Sequence, residues 1–109
     1  MAHVVIADAD YGVLYLLAIL INRLGWTSDM AANGVEAWEK VQRQVPDLVV
    51  VEVSLPGMSG LDLLRVIKSH PSLAHIPVVL MGPAGDEARA RAAGCCRATS
   101  NRTSRTHGA

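Results

Sequence analysis

The sequence predicts one α/β domain built on a parallel β-sheet with helices on both faces. Three observations carry that prediction. Short apolar runs such as Val49-Val50-Val51 lack the alternation of a half-solvated strand, so they read as strands buried on both faces. Longer stretches with apolar residues three and four apart lie between these runs, so strands alternate with helices. Half of the 109 residues are hydrophobic, yet none is Phe and only 4% are aromatic. A core of Val, Leu, Ile and Ala suits α/β layers better than an aromatic-rich sandwich.

The elements follow in order. His3 to Ala7 reads as a strand ending at Asp8, and Asp10 stands before a helix from Tyr11 to Leu24 closed by Gly25. Trp26 to Met30 is a weaker strand. Asn33-Gly34 opens a helix with Val35, Trp38 and Val41 on one face, Trp38 being most simply core. Leu48 to Val53 is the strongest strand. Asp47 caps or solvates its entry, and the turn-rich segment Leu55 to Gly60 follows it. Leu61 to Ser69 is a helix broken at His70-Pro71. Ile76 to Met81 is a buried strand, and Gly82 to Gly85 a loop. Asp86 to Ala93 is a short helix stopped by Gly94, with a fifth strand near Cys95 to Thr99. Residues 1–99 form the domain, and Ser100 to Ala109 read as a disordered basic tail.

Composition excludes several function classes. Ten basic and ten acidic side chains leave no global pull toward nucleic acid or an anionic membrane. The longest apolar stretch, Val13 to Ile21, is too short to span a bilayer, and Asp8 and Asp10 interrupt any signal-peptide layout. Adjacent Cys95 and Cys96 have neither zinc spacing nor a strain-free bridge, so they read as free thiols in a reducing cytoplasm. No segment has room for a helix-turn-helix, so direct DNA contact is not expected. His70 and His75 flank a proline on a surface loop and read as solvated side chains.

Several pieces together resemble the receiver domain of bacterial response regulators. They are Val4-Val5-Ile6-Ala7-Asp8, Ala32 to Trp38, Pro46 to Glu52, Pro56 to Leu61, and Ile76 to Met81. They occur in family order and spacing from residue 3 to about residue 94. The resemblance implies a flavodoxin-like, doubly wound parallel sheet of order 2-1-3-4-5. In this chain the fifth strand is weak and the family's fifth helix is missing. The abrupt shift in composition after Gly94 is what a truncation or an altered reading frame would leave.

The family's pocket carries over position by position. Two adjacent acids after the first strand help hold magnesium; here the first is Asp8 and the second position is Ala9. The phosphoacceptor aspartate ends the third strand, where Glu52 stands. The hydroxyl residue ending the fourth strand is replaced by Gly82, and the lysine after the fifth strand aligns with Asn101. Phosphoryl transfer depends on charge neutralisation and positioning, and magnesium demands a near-complete set of oxygen ligands. Losing a carboxylate, a hydroxyl and a lysine together therefore predicts a receiver not phosphorylated in the usual way and acting through protein contacts. Glu52 is one methylene longer than aspartate. It reads either as a built-in mimic of the phosphorylated state or as drift. Asp10 reads as a helix N-cap, with residual magnesium at Asp8 and Asp10 as the alternative. No other cofactor is expected.

Two further readings remain. One is a receiver that still accepts a phosphoryl group by an irregular route. The other takes Asp8-Ala9-Asp10 as resembling the Asp-x-Asp motif of haloacid-dehalogenase-type phosphatases. Against the latter, Tyr11 stands where that motif needs glycine, and no lysine follows Lys68.

The first helix points to partners. Val13, Leu14, Leu16, Leu17, Ile19, Leu20 and Ile21 run nearly all the way round it. A sheet covers only one side, so Val13, Leu16, Leu17 and Leu20 are the expected interaction surface. Self-association there, or docking to a histidine kinase or an output domain, is the expected mode of action.

Overall fold

The computed structural model describes residues 2–82 and 97–100. Five strands pair in parallel in the order β2-β1-β3-β4-β5. They are β1 (His3–Ala7), β2 (Thr27–Ala31), β3 (Leu48–Glu52), β4 (Val78–Gly82) and β5 (Arg97–Ser100). Helices α1 (Tyr11–Arg23), α2 (Gly34–Arg43) and α3 (Gly60–Ser69) connect the first four. The predicted helix at Asp86 to Ala93, the two cysteines and Asn101 lie outside the described residues, as does the place where a fifth helix would follow.

Two-residue periodicity divides β1 between two cores. Val5 and Ala7 join Ala37 and Val41 of α2 and Leu61, Leu63, Leu64 and Ile67 of α3 in the larger cluster. Val4 and Ile6 point to the other face and meet Leu14 and Ile21 of α1. All five β1 residues are therefore buried, which explains why the strand reads as an unbroken apolar run. On β3 only Val49 and Val51 are fully buried; Leu48, Val50 and Glu52 are half-buried.

Element ends follow from local chemistry. Asp10 caps α1, its carboxylate accepting from the amides of Gly12 and Val13. Asn33 caps α2 and Ser59 caps α3, each accepting from the amide three residues on. Gly25, at φ 82°, takes the left-handed turn after α1. Asp47 does more than solvate the entry to β3. Its Oδ2 accepts from the His3 amide at 2.8 Å and its own amide donates to the His3 carbonyl at 2.7 Å, fastening β3 to β1. Lys68 secures the turn into β4 by donating to the carbonyls of Ala74 and Ile76 at 3.1 and 2.7 Å.

Several expectations need correction. Val35 does not share the buried face of α2; it is 49% exposed, and Ala37 fills the place beside Val41. Trp38 is half-buried, packed against the larger core and set edge-on to His70 at 6.2 Å. Gly82 belongs to β4 rather than to a loop, because it pairs with Ser100. Ser100 is accordingly the last residue of β5 and not the start of the tail, so the expected boundary at residue 99 cuts into a strand.

Candidate functional site

The register of the central strands assembles the site at their carboxyl ends. Ala7 pairs with Val51, so the next residues, Asp8 and Glu52, stand side by side. Glu52 pairs with Met81, and Gly82 follows at the end of β4. Asp8 is buried at 4% exposure. Its amide donates to the Ala31 carbonyl at 3.1 Å, and its Oδ1 accepts from the Asp10 amide at 2.8 Å. Gly82 is buried and has no side chain to present.

Backbone contacts hold Glu52 and the loop after it. The Val53 amide donates to Met81 and the Gly60 amide to Val53, at 2.8 and 2.9 Å. The Gly34 amide reaches the Pro56 carbonyl at 3.2 Å, so the loop is seated on the start of α2. Both glycines are required by space. A Cβ on Gly60 would stand 2.1 Å from the Glu52 carbonyl oxygen, and one on Gly34 would stand 1.7 Å from that of Met58. Glu36 joins the same corner, accepting from the Ala32 amide at 2.9 Å while paired at 3.7 Å with Lys40.

These residues suit a divalent cation poorly. Ala9 offers no oxygen between Asp8 and Asp10, and Asp10 is turned to the amides that open α1. Among the described residues, no three His, Cys, Asp or Glu side chains are grouped to hold a metal ion. Magnesium is commonly held by one or two carboxylates with waters completing its octahedron; the register brings Asp8 and Glu52 together, and position 9 adds no third carboxylate.

The family model for the response regulator receiver domain matches residues 4–100. This chain belongs to that family. It is 37% identical over 65 residues to the sporulation initiation phosphotransferase F of Bacillus subtilis, covering 60% of this chain and 52% of that protein. It is 35% identical over 79 residues to the polar-differentiation response regulator DivK of Brucella anthropi, covering 70% of this chain and 64% of the relative. The matched part thus spans between half and two thirds of these relatives' lengths. The signal receiver domain of a histidine kinase from Syntrophus aciditrophicus superposes with a TM-score of 0.86 at 24% identity, covering 98% of this chain and 86% of that one. The chain is a module of two-component, phosphorelay-type signal transduction.

The positions at which the sequence reading expects this receiver to depart from its family, Ala9, Glu52 and Gly82, are brought by the register to one end of the sheet together with Asp8. The fourth departure, Asn101, follows Ser100, the register partner of Gly82. It lies outside the described residues.

The receiver's second feature is α1. Leu14 and Ile21 are buried against the sheet, and Leu17 packs on the same cluster. Leu17 therefore belongs to the core edge and not to an open surface, and Val13 is half-buried. Leu16 and Leu20 are exposed as expected. Sequence reasoning missed Tyr11, Tyr15 and Ile19, which are 63, 59 and 56% exposed. The signal was available: Leu14 and Ile21 are seven residues apart, and the residues midway round the helix from them are Leu16 and Ile19. Tyr11 and Tyr15 line a shallow cleft with Met30 and Glu36 between α1 and β2.

Among the described residues, no helix is long and apolar enough to cross a membrane.

Proposed function

We propose that this receiver signals by protein–protein contact without accepting a phosphoryl group in the usual way. One observation carries the reading: the position after Asp8 is Ala9, and the next acid along the chain, Asp10, turns its Oδ1 to the amides of Gly12 and Val13. With magnesium poorly held, the charge that builds on a transferring phosphoryl group has too few counter-charges. Gly82 has no hydroxyl with which to answer a phosphoryl oxygen. The domain is read as non-enzymatic and cytoplasmic, with a histidine kinase or an output domain as its wider signalling context and no direct contact with nucleic acid. Self-association through α1 supplies its protein contact.

The test is a titration with magnesium and beryllofluoride, a phosphoryl mimic, followed by amide NMR. No magnesium-dependent shift at Asp8, Glu52 or Gly82 is expected. Saturable shifts at those amides would support the rival reading, phosphoryl acceptance by an irregular route.

A further inference from the structure

We propose that α1 packs antiparallel against α1 of a second copy of this chain, about a two-fold axis between Leu16 and Ile19. The inference rests on the reading of the domain as a contact module and names its partner.

The outer face of α1 is patterned for such a pair. Leu14 and Ile21 mark the side turned to the sheet. Opposite them, Gly12, Leu16, Ile19 and Arg23 recur at spacings of four, three and four residues, the seam spacing of a two-helix contact. Leu16 and Ile19 are 57 and 56% exposed, with Tyr15 and Leu20 flanking them at 59 and 47%. Arg23 is the single charge within the helix.

Charge selects the orientation. In a parallel pair related by a two-fold along the helices, Arg23 would face Arg23 and Asp10 would face Asp10 across the seam. In the antiparallel pair, Leu16 meets Ile19 of the second copy, and Arg23 approaches the exposed cap residue Asp10 beside Gly12. The missing side chain at Gly12 leaves room for the guanidinium. An isologous contact makes each of these pairings twice. The rest of the face is uncharged, so it meets its own copy without like-charge repulsion, and it offers nothing to attract a strongly charged partner.

The experiment measures the mass of the full chain by sedimentation equilibrium over a concentration series. The parent is expected to be a concentration-dependent dimer. Leu16→Glu and Ile19→Lys should each raise its dissociation constant by about tenfold or more. An equimolar mixture of the two variants should recover the dimer, because the introduced carboxylate and ammonium meet across one half of the seam while Leu16 meets Ile19 across the other. Amide spectra check that both variants keep the fold, which is expected at exposed positions. A parent monomeric at about 1 mM, a Leu16→Glu variant that stays dimeric, or a mixture that stays monomeric each overturns the proposal. The beryllofluoride titration separates the two readings. A silent pocket in a monomeric parent removes the second copy alone. A responsive pocket in an intact dimer removes the unphosphorylated reading and leaves the dimer.

Discussion

Asp8, Ala9 and Asp10 show how local hydrogen bonding decides the use of a carboxylate. Asp8 accepts from the Asp10 amide, and Asp10 accepts from those of Gly12 and Val13. Each acid thus stabilises the turn into α1. Replacing Asp10 by Ala is expected to cost about 1 kcal/mol in thermal or urea unfolding, as loss of an N-cap does, with the magnesium response unchanged. Restoring the family's acids should reverse the pocket's silence. The double variant Ala9→Asp with Glu52→Asp is expected to give saturable magnesium-dependent amide shifts where the parent is expected to give none. A silent double variant would show that the defect lies beyond the acids. At the same scale, Gly60→Ala and Gly34→Ala force a methyl group to within 2.1 and 1.7 Å of backbone oxygens, so the loop after Glu52 must move. Each should cost about 3 kcal/mol, the upper end for overpacking. Gly25→Ala meets nothing within 4 Å and is strained only by its φ of 82°, for about 1–2 kcal/mol.

Helix α1 carries two faces with different energetics. Leu14 is 2% exposed and Leu16 is 57% exposed, though both are leucines two residues apart. Leu14→Ala is expected to destabilise by about 2–5 kcal/mol, as cavity-forming substitutions do. Leu16→Ala, measured in dilute solution, should stay within about 0.5 kcal/mol. Chemical denaturation of the pair checks both, and equal losses would mean that the outer face is covered. Lys68 shows an element end held by charge. Its ammonium closes the α3–β4 connection on two carbonyls. Lys68→Met keeps the stem and removes both bonds, for an expected loss of about 1.5–3 kcal/mol.

Across the whole molecule, burial falls from the centre of the sheet toward β2. β1 pairs on both sides and is fully buried. β2 is an edge strand whose first residue is exposed and whose next three are half-buried. Hydrogen exchange should therefore be slowest at the β1 and β3 amides and measurably faster at Thr27 to Ala31. Uniform protection across the sheet would mean that the β2 edge is covered in solution, which a dimer centred on α1 does not require. The order β2-β1-β3-β4-β5 also explains how residues distant in sequence become one site. Each crossover among the first four strands returns the chain to the amino end of the sheet, so these parallel strands all finish at the opposite end and present their carboxyl termini together there.

The sequence by itself determined the class of fold and the alternation of elements. Unbroken apolar runs and three-and-four spacing respond to burial, and helices cover both faces of a parallel sheet, as β1 shows along its whole length. Where β1 and β3 end was legible to within a residue, because an apolar run stops there. Only the tertiary structure decided which side of an all-apolar helix faces the core. For α1 the sequence offered apolar residues in every direction and no polar stripe to orient it, so Leu17 was taken for surface while Tyr11, Tyr15 and Ile19 were passed over. Val35 failed for a related reason: the buried stripe of α2 runs through Gly34, Ala37 and Val41, and Val35 lies off it. The clasp of Asp47 on His3, between residues 44 apart, was likewise beyond local reading. A hydrogen bond of that span exists only after two strands have paired, because no nearby residue in the chain supplies its partner.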